Sequence, residues 1–150
     1  MKKILLTVSV ISIFCWSSEI VVDCDEDYEE KICNGDYSCV ASKCIYKNTD
    51  LLGAYKHYLK QYFQDYKKEI YMRASKEMEM PNLNKTIRLE YKFKSRPEDS
   101  ENTCYFSLTR AGKNHLKLEY NDCSNESLFN VDFKKVNNGI EVILNGDIGA

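Results

Sequence analysis

Cysteine and histidine are the residues here best suited to chemistry, and the chain holds seven of the first and two of the second. Cys15 lies in an apolar N-terminal run. The other six are Cys24, Cys33, Cys39, Cys44, Cys104 and Cys123. An even number of cysteines in an exported chain reads as a disulfide framework. Zinc is the rival for the first four. Their spacings of eight, five and four intervening residues contain no Cys-x-x-Cys pair, so disulfides are expected and no metal site. Connectivity among Cys24, Cys33, Cys39 and Cys44 stays open. A hairpin folded about Gly112-Lys113 brings Cys104 opposite Asn121, and one bulge or a diagonal pairing then brings it to Cys123. That bridge is worth about 3 kcal/mol by chain-entropy reasoning.

His57 and His115 belong to no metal or catalytic motif, and there is no nucleophile elbow or phosphate loop. A Cys–His nucleophile needs a free thiol, and all six cysteines have partners within the framework. Glu90, Glu119 and Glu141 fall on the outward beat of strands, where carboxylates are solvated charges. An enzyme is not expected, and no cofactor is implied. Lys92, Lys94 and Arg96 recur at a spacing of two. They read either as a docking patch for a partner protein or as a charged face that keeps an edge strand from pairing. Asp23, Asp25, Glu26, Asp27, Glu29 and Glu30 crowd one short stretch. Dense carboxylates suit calcium, but the EF-hand spacing is absent and a solvated face explains them as well. Asn84-Lys85-Thr86 and Asn125-Glu126-Ser127 match glycosylation acceptors.

The elements that hold these residues begin after residue 17. Met1-Lys2-Lys3, an apolar run from Ile4 to Phe14 and Cys15-Trp16-Ser17 describe a secretory signal peptide over 1–17. The run is too short to span a bilayer comfortably, so no stable membrane span is expected after cleavage. Losing Lys2 and Lys3 takes the formal charge from −2 to −4, which argues against nucleic acid as a partner. Residues 18–47 form a small cysteine-rich module with few apolar residues, held by crosslinks rather than by burial. In 48–150, Leu52, Tyr55, Leu59, Tyr62, Tyr66, Ile70, Ala74 and Met78 recur every three or four residues. This predicts one long helix over 50–80, capped from Asn48-Thr49-Asp50 and ended by Pro81. Its tyrosines read as core, and a ligand surface is the alternative.

Beyond Pro81 the beat becomes two. Ile87, Leu89, Tyr91 and Phe93 alternate with Arg88, Glu90, Lys92 and Lys94. The inward sets Cys104/Phe106/Leu108, Leu116/Leu118/Tyr120, Phe129/Val131/Phe133 and Ile140/Val142/Leu144 follow, and Asn138-Gly139 marks a hairpin. The expected fold is α+β: one long helix packed on a four- to five-stranded antiparallel meander, preceded by a disulfide-rich module.

The pattern Cys24…Cys33-Asn34-Gly35-Asp36-Tyr37-Ser38-Cys39…Lys43-Cys44 resembles small cysteine modules of secreted proteins. Residues 50–120 resemble the C-terminal domain of periplasmic TolA/TonB-type proteins. The likeness rests on an aromatic helix, Thr103-Cys104-Tyr105-Phe106-Ser107-Leu108, a turn at Ala111-Gly112 and a strand over Leu116–Tyr120. It implies an α+β domain that binds partner proteins, often by offering a sheet edge to an incoming strand. That family carries a membrane anchor and a long spacer, which this sequence does not display. A cystatin-like fold, a sheet wrapped around one helix, is the competing analogy.

These readings converge on an exported protein, periplasmic or secreted, that is non-enzymatic and binds another protein. A secreted inhibitor or immunity-type protein, or a small-ligand carrier, is the alternative.

Overall fold

The structure, a computed structural model, describes residues 19–61, 68–94, 96–121, 123 and 127–148. The proposed signal peptide lies outside them, as do Tyr62 and Tyr66. Ten elements follow in order: β1 (Val21–Cys24), α1 (Tyr28–Cys33), β2 (Cys39–Lys47), α2 (Leu51–Gln61), α3 (Lys68–Glu77), β3 (Thr86–Phe93), β4 (Asn102–Gly112), β5 (His115–Asn121), β6 (Leu128–Val136) and β7 (Gly139–Asp147). The strands form one antiparallel sheet in the order β1-β2-β7-β6-β5-β4-β3. Strands β3 to β7 are the meander read from the two-residue beat. Their inward residues, Phe106, Leu108, Leu116, Leu118, Tyr120, Val131, Phe133, Ile140, Val142 and Leu144, are all buried.

The expected fold is wrong in two respects. The sheet has seven strands, not four or five, because the cysteine-rich stretch contributes β1 and β2 to its far side. The helical stretch is two short helices instead of one long rod. A straight helix would hold residues 55 and 74 about 28 Å apart. Here the Tyr55 hydroxyl donates to the Ala74 carbonyl at 3.2 Å, so α3 doubles back beside α2. Sheet width explains the difference. Seven strands span about 29 Å, and a helix covers only about 10 Å of that. Two helices divide the work. α2 lies over β6 and β7, while α3 reaches β4, β5 and β3 through Tyr71 on Phe106 and Tyr120 and Arg73 on Tyr91.

The three- and four-residue spacing keeps its meaning within each helix. Tyr55 and Leu59 of α2, Ile70 and Ala74 of α3, and Met78 just past it are buried. Asp50 caps α2, its carboxylate accepting from the Gly53 amide at 2.7 Å. The tyrosine hydroxyls find partners inside, Tyr58 with Tyr120 at 2.9 Å and Tyr55 with Ala74.

Three disulfides join Cys24 to Cys44, Cys33 to Cys39 and Cys104 to Cys123. The first crosses the β1–β2 pair, the second ties α1 to the start of β2, and the third joins β4 to the residues just past β5. They are compatible with a chain that folds in an oxidising, export compartment. Three of the six acids in the acidic run have local partners: Asp25 and Asp27 face Lys31 at 3.5 and 3.9 Å, and Asp23 faces Lys47 at 3.4 Å. Among the described residues no helix is long and apolar enough to cross a membrane.

The buried tyrosines give stability an alkaline limit. Burial pushes the Tyr91 hydroxyl up to about 12, helped by the charge of Glu77 and by the hydrogen bond to it. Burial also pushes Tyr55 up. Both are raised above the ordinary tyrosine value, so their contribution is complete below about pH 10. As the pH climbs past that value, the unfolded chain releases these protons and the native state does not. Stability is then lost. The urea midpoint is expected to fall from about pH 10 toward pH 12, and to fall less steeply in Tyr55→Phe/Tyr91→Phe. Parallel curves for the two proteins would refute this cause.

Candidate protein-binding edge

One face of the sheet is under α2 and α3. The other carries the outward beat, and β3 ends the sheet on one side. β3 is a strand because Ile87, Leu89 and Tyr91 alternate with charged residues and meet Leu108, Phe106 and Cys104 of β4 in unbroken register.

Two hydrogen bonds fix which of its backbone groups are left at the edge. The Arg110 amide donates to the Lys85 carbonyl, toward β3. The Tyr105 amide donates to the Asn121 side-chain oxygen, toward β5. Amides along a strand alternate sides, so the even residues of β4 bond to β3 and the odd ones do not. Their partners in β3 are Ile87, Leu89, Tyr91 and Phe93. The N–H and C=O groups of Thr86, Arg88, Glu90 and Lys92 therefore point outward. Among the described residues no strand pairs with them.

The side chains of these four residues lie on the uncovered face. Arg88 Nε stands 3.2 Å from Glu90 Oε1, and its guanidinium lies 4.8 Å from the centre of the Tyr105 ring. Lys92 Nζ donates to Thr103 Oγ1 at 3.0 Å and stands 3.9 Å from Glu101. Thr86 and Thr109 hydroxyls meet at 2.7 Å. Of the basic row singled out above, Lys92 is on the strand, whereas Lys94 and Arg96 follow its end in an exposed connection. That row passes over Arg88 and Glu90. The signal for them was present in the sequence as a positive, negative, positive series at a spacing of two.

Elsewhere on the open face, Ser107, Thr109, Lys117, Glu119, Asn130 and Asp132 line a shallow depression of about 260 Å³. His115 Nε2 meets Asp132 Oδ1 at 2.5 Å. Glu141 stands 2.8 Å from Lys43 Nζ, and this carboxylate holds the Lys43 ammonium above its ordinary value. Glu119 accepts from the Tyr105 hydroxyl at 3.5 Å, and burial, followed by the charge of Glu119, raises that phenol. The three glutamates flagged as outward are thus each answered by a neighbour on this face. Among the described residues no three His, Cys, Asp or Glu side chains are grouped to hold a metal ion.

Compared with family models, with curated proteins and with solved structures, the chain matches none.

Proposed function

We propose that this is an exported, disulfide-bonded, non-enzymatic protein that binds another protein by strand addition at β3, in the periplasm or outside the cell. The observation behind this reading is the outer edge of β3. Natural edge strands are blunted by shortness, proline, a bulge or charged side chains, and of these devices β3 carries only the charges, at Arg88, Glu90 and Lys92. The opposite edge strand, β1, has only four residues. β3 has eight, with no proline and no break in its register with β4. An extended segment laid there gains main-chain hydrogen bonds from Arg88, Glu90 and Lys92, with their charges setting the choice of partner. A hydrolase or toxin as the captured protein would make this chain an inhibitor or immunity protein.

Glu90→Pro tests the edge selectively. The Glu90 amide points away from β4, so proline there spares the β3–β4 ladder and blocks only the outer side. Crosslinking in the native compartment is expected to capture a protein with the wild type and to lose it with Glu90→Pro. Captures unchanged by the proline, or none at native abundance, would refute the reading.

A further inference from the structure

Charge order along β3 restricts what the edge accepts. Arg88 and Glu90 are opposite in sign and two residues apart, and Lys92 follows. Strands that pair across a two-fold axis set each residue against one at the mirror position, so the place of the axis decides which charges meet. An axis at Arg88 puts arginine against arginine. An axis at Glu90 puts carboxylate against carboxylate and Arg88 against Lys92. An axis at Tyr91 matches Glu90 with Lys92 but opposes Arg88 to Lys94. An axis at Leu89 sets Arg88 against Glu90 twice, and Lys92 against Thr86. That register leaves no like charges opposed, and it also overlaps residues 86–92 from end to end.

We propose that the strand seated on β3 is the β3 of a second copy of this chain, paired antiparallel about Leu89. The proposal rests on the edge-docking reading above and names its partner. In this register Arg88 and Glu90, whose backbone groups point outward, form the hydrogen-bonded pairs. The two Leu89 residues meet in the close, non-hydrogen-bonded pair. The helix-covered faces of both copies lie on the same side. Ile87 and Leu89, half-buried in one chain, then gain cover from Tyr91 and Leu89 of the other. The two sheets become one, and both open edges close.

The test uses the exported, disulfide-bonded protein in a sedimentation dilution series, with hydrogen exchange at the amides of Arg88, Glu90 and Lys92. The wild type is expected to dimerise and to protect these amides as it does so. Arg88→Glu and Glu90→Arg each turn two attractions into two repulsions, and each is expected to weaken the dimer by about tenfold or more. The double variant Arg88→Glu/Glu90→Arg restores the pairing, so a fold defect in either single variant does not imitate the result. Glu90→Pro is expected to be monomeric. A wild type that stays monomeric, while crosslinks to a different protein remain sensitive to Glu90→Pro, overturns the second copy and leaves the edge reading standing. A dimer indifferent to all four variants overturns the β3 register.

Discussion

Phe106→Ala is expected to remove about 3–5 kcal/mol of stability, the usual loss for a fully buried phenylalanine. Phe106 is 0% exposed and sits where the three central pieces of the core meet. Its ring stacks on Tyr120 at 5.8 Å and takes the edges of Tyr71 from α3 and Tyr91 from β3 at 5.5 and 6.0 Å. Removing it empties a site walled by large rings on two strands and a helix. Rings anchored on regular elements cannot collapse inward, so the cavity persists and the loss falls at the upper end of its range. A domain of this size holds about 5–15 kcal/mol in total, so the variant is marginal. Urea unfolding with disulfides intact measures it as a lower midpoint at unchanged slope. Phe106→Leu, which keeps most of the volume, is expected to lose roughly half as much or less. A loss below about 1 kcal/mol for the alanine variant would mean that this ring is not a core residue.

That ring was legible before any coordinates, because β4 keeps strict alternation over Cys104, Phe106 and Leu108. The same holds for β5, β6 and β7, where one large apolar residue falls on every second position. β2 broke the rule. Its register puts Val40, Ser42, Cys44 and Tyr46 on the face of the buried Leu144, Val142 and Ile140 of β7, so two of its four inward positions carry small or polar residues. A sheet margin has less to cover, and a disulfide substitutes there for apolar area. Such a strand shows no hydrophobic beat and reads as a crosslinked loop. The helical stretch failed for a different reason. Helical periodicity records which face is buried but not whether the axis is straight, and both helices bury the same kind of stripe. The outer edge of β3 was half legible: its charges stood in the sequence, but the alternation of free and bonded amides depends on which strand lies beside it.

Cys104→Ala/Cys123→Ala is expected to lose about 3–5 kcal/mol, more than removal of either of the other bridges. Releasing a loop of 19 residues forfeits about 3 kcal/mol of chain entropy. Cys33–Cys39, with a separation of 6, forfeits only about 2 kcal/mol. Cys24–Cys44 closes a loop of similar length, but Cys24 is exposed, whereas Cys104 and Cys123 are 0% and 3% exposed and their loss also leaves a hole in the core. Position sharpens the contrast. Past Tyr120 the β4–β5 ladder continues through one side chain: Asn121 accepts from the Tyr105 amide at 2.8 Å and donates to the Thr103 carbonyl at 2.8 Å. Cys123, with φ of 53°, turns back to Cys104 immediately beyond this bridge. Cys104 is in turn the ladder partner of Tyr91. Freeing it loosens the Lys92 end of the edge that we assign to binding. Hydrogen exchange in the double-alanine variant is expected to lose protection first at residues 102–106 and 91–93, and docking at β3 is expected to weaken with it. If exchange rises uniformly, or if the loss is no greater than for Cys33→Ala/Cys39→Ala, then the bridge does not hold that end of the sheet.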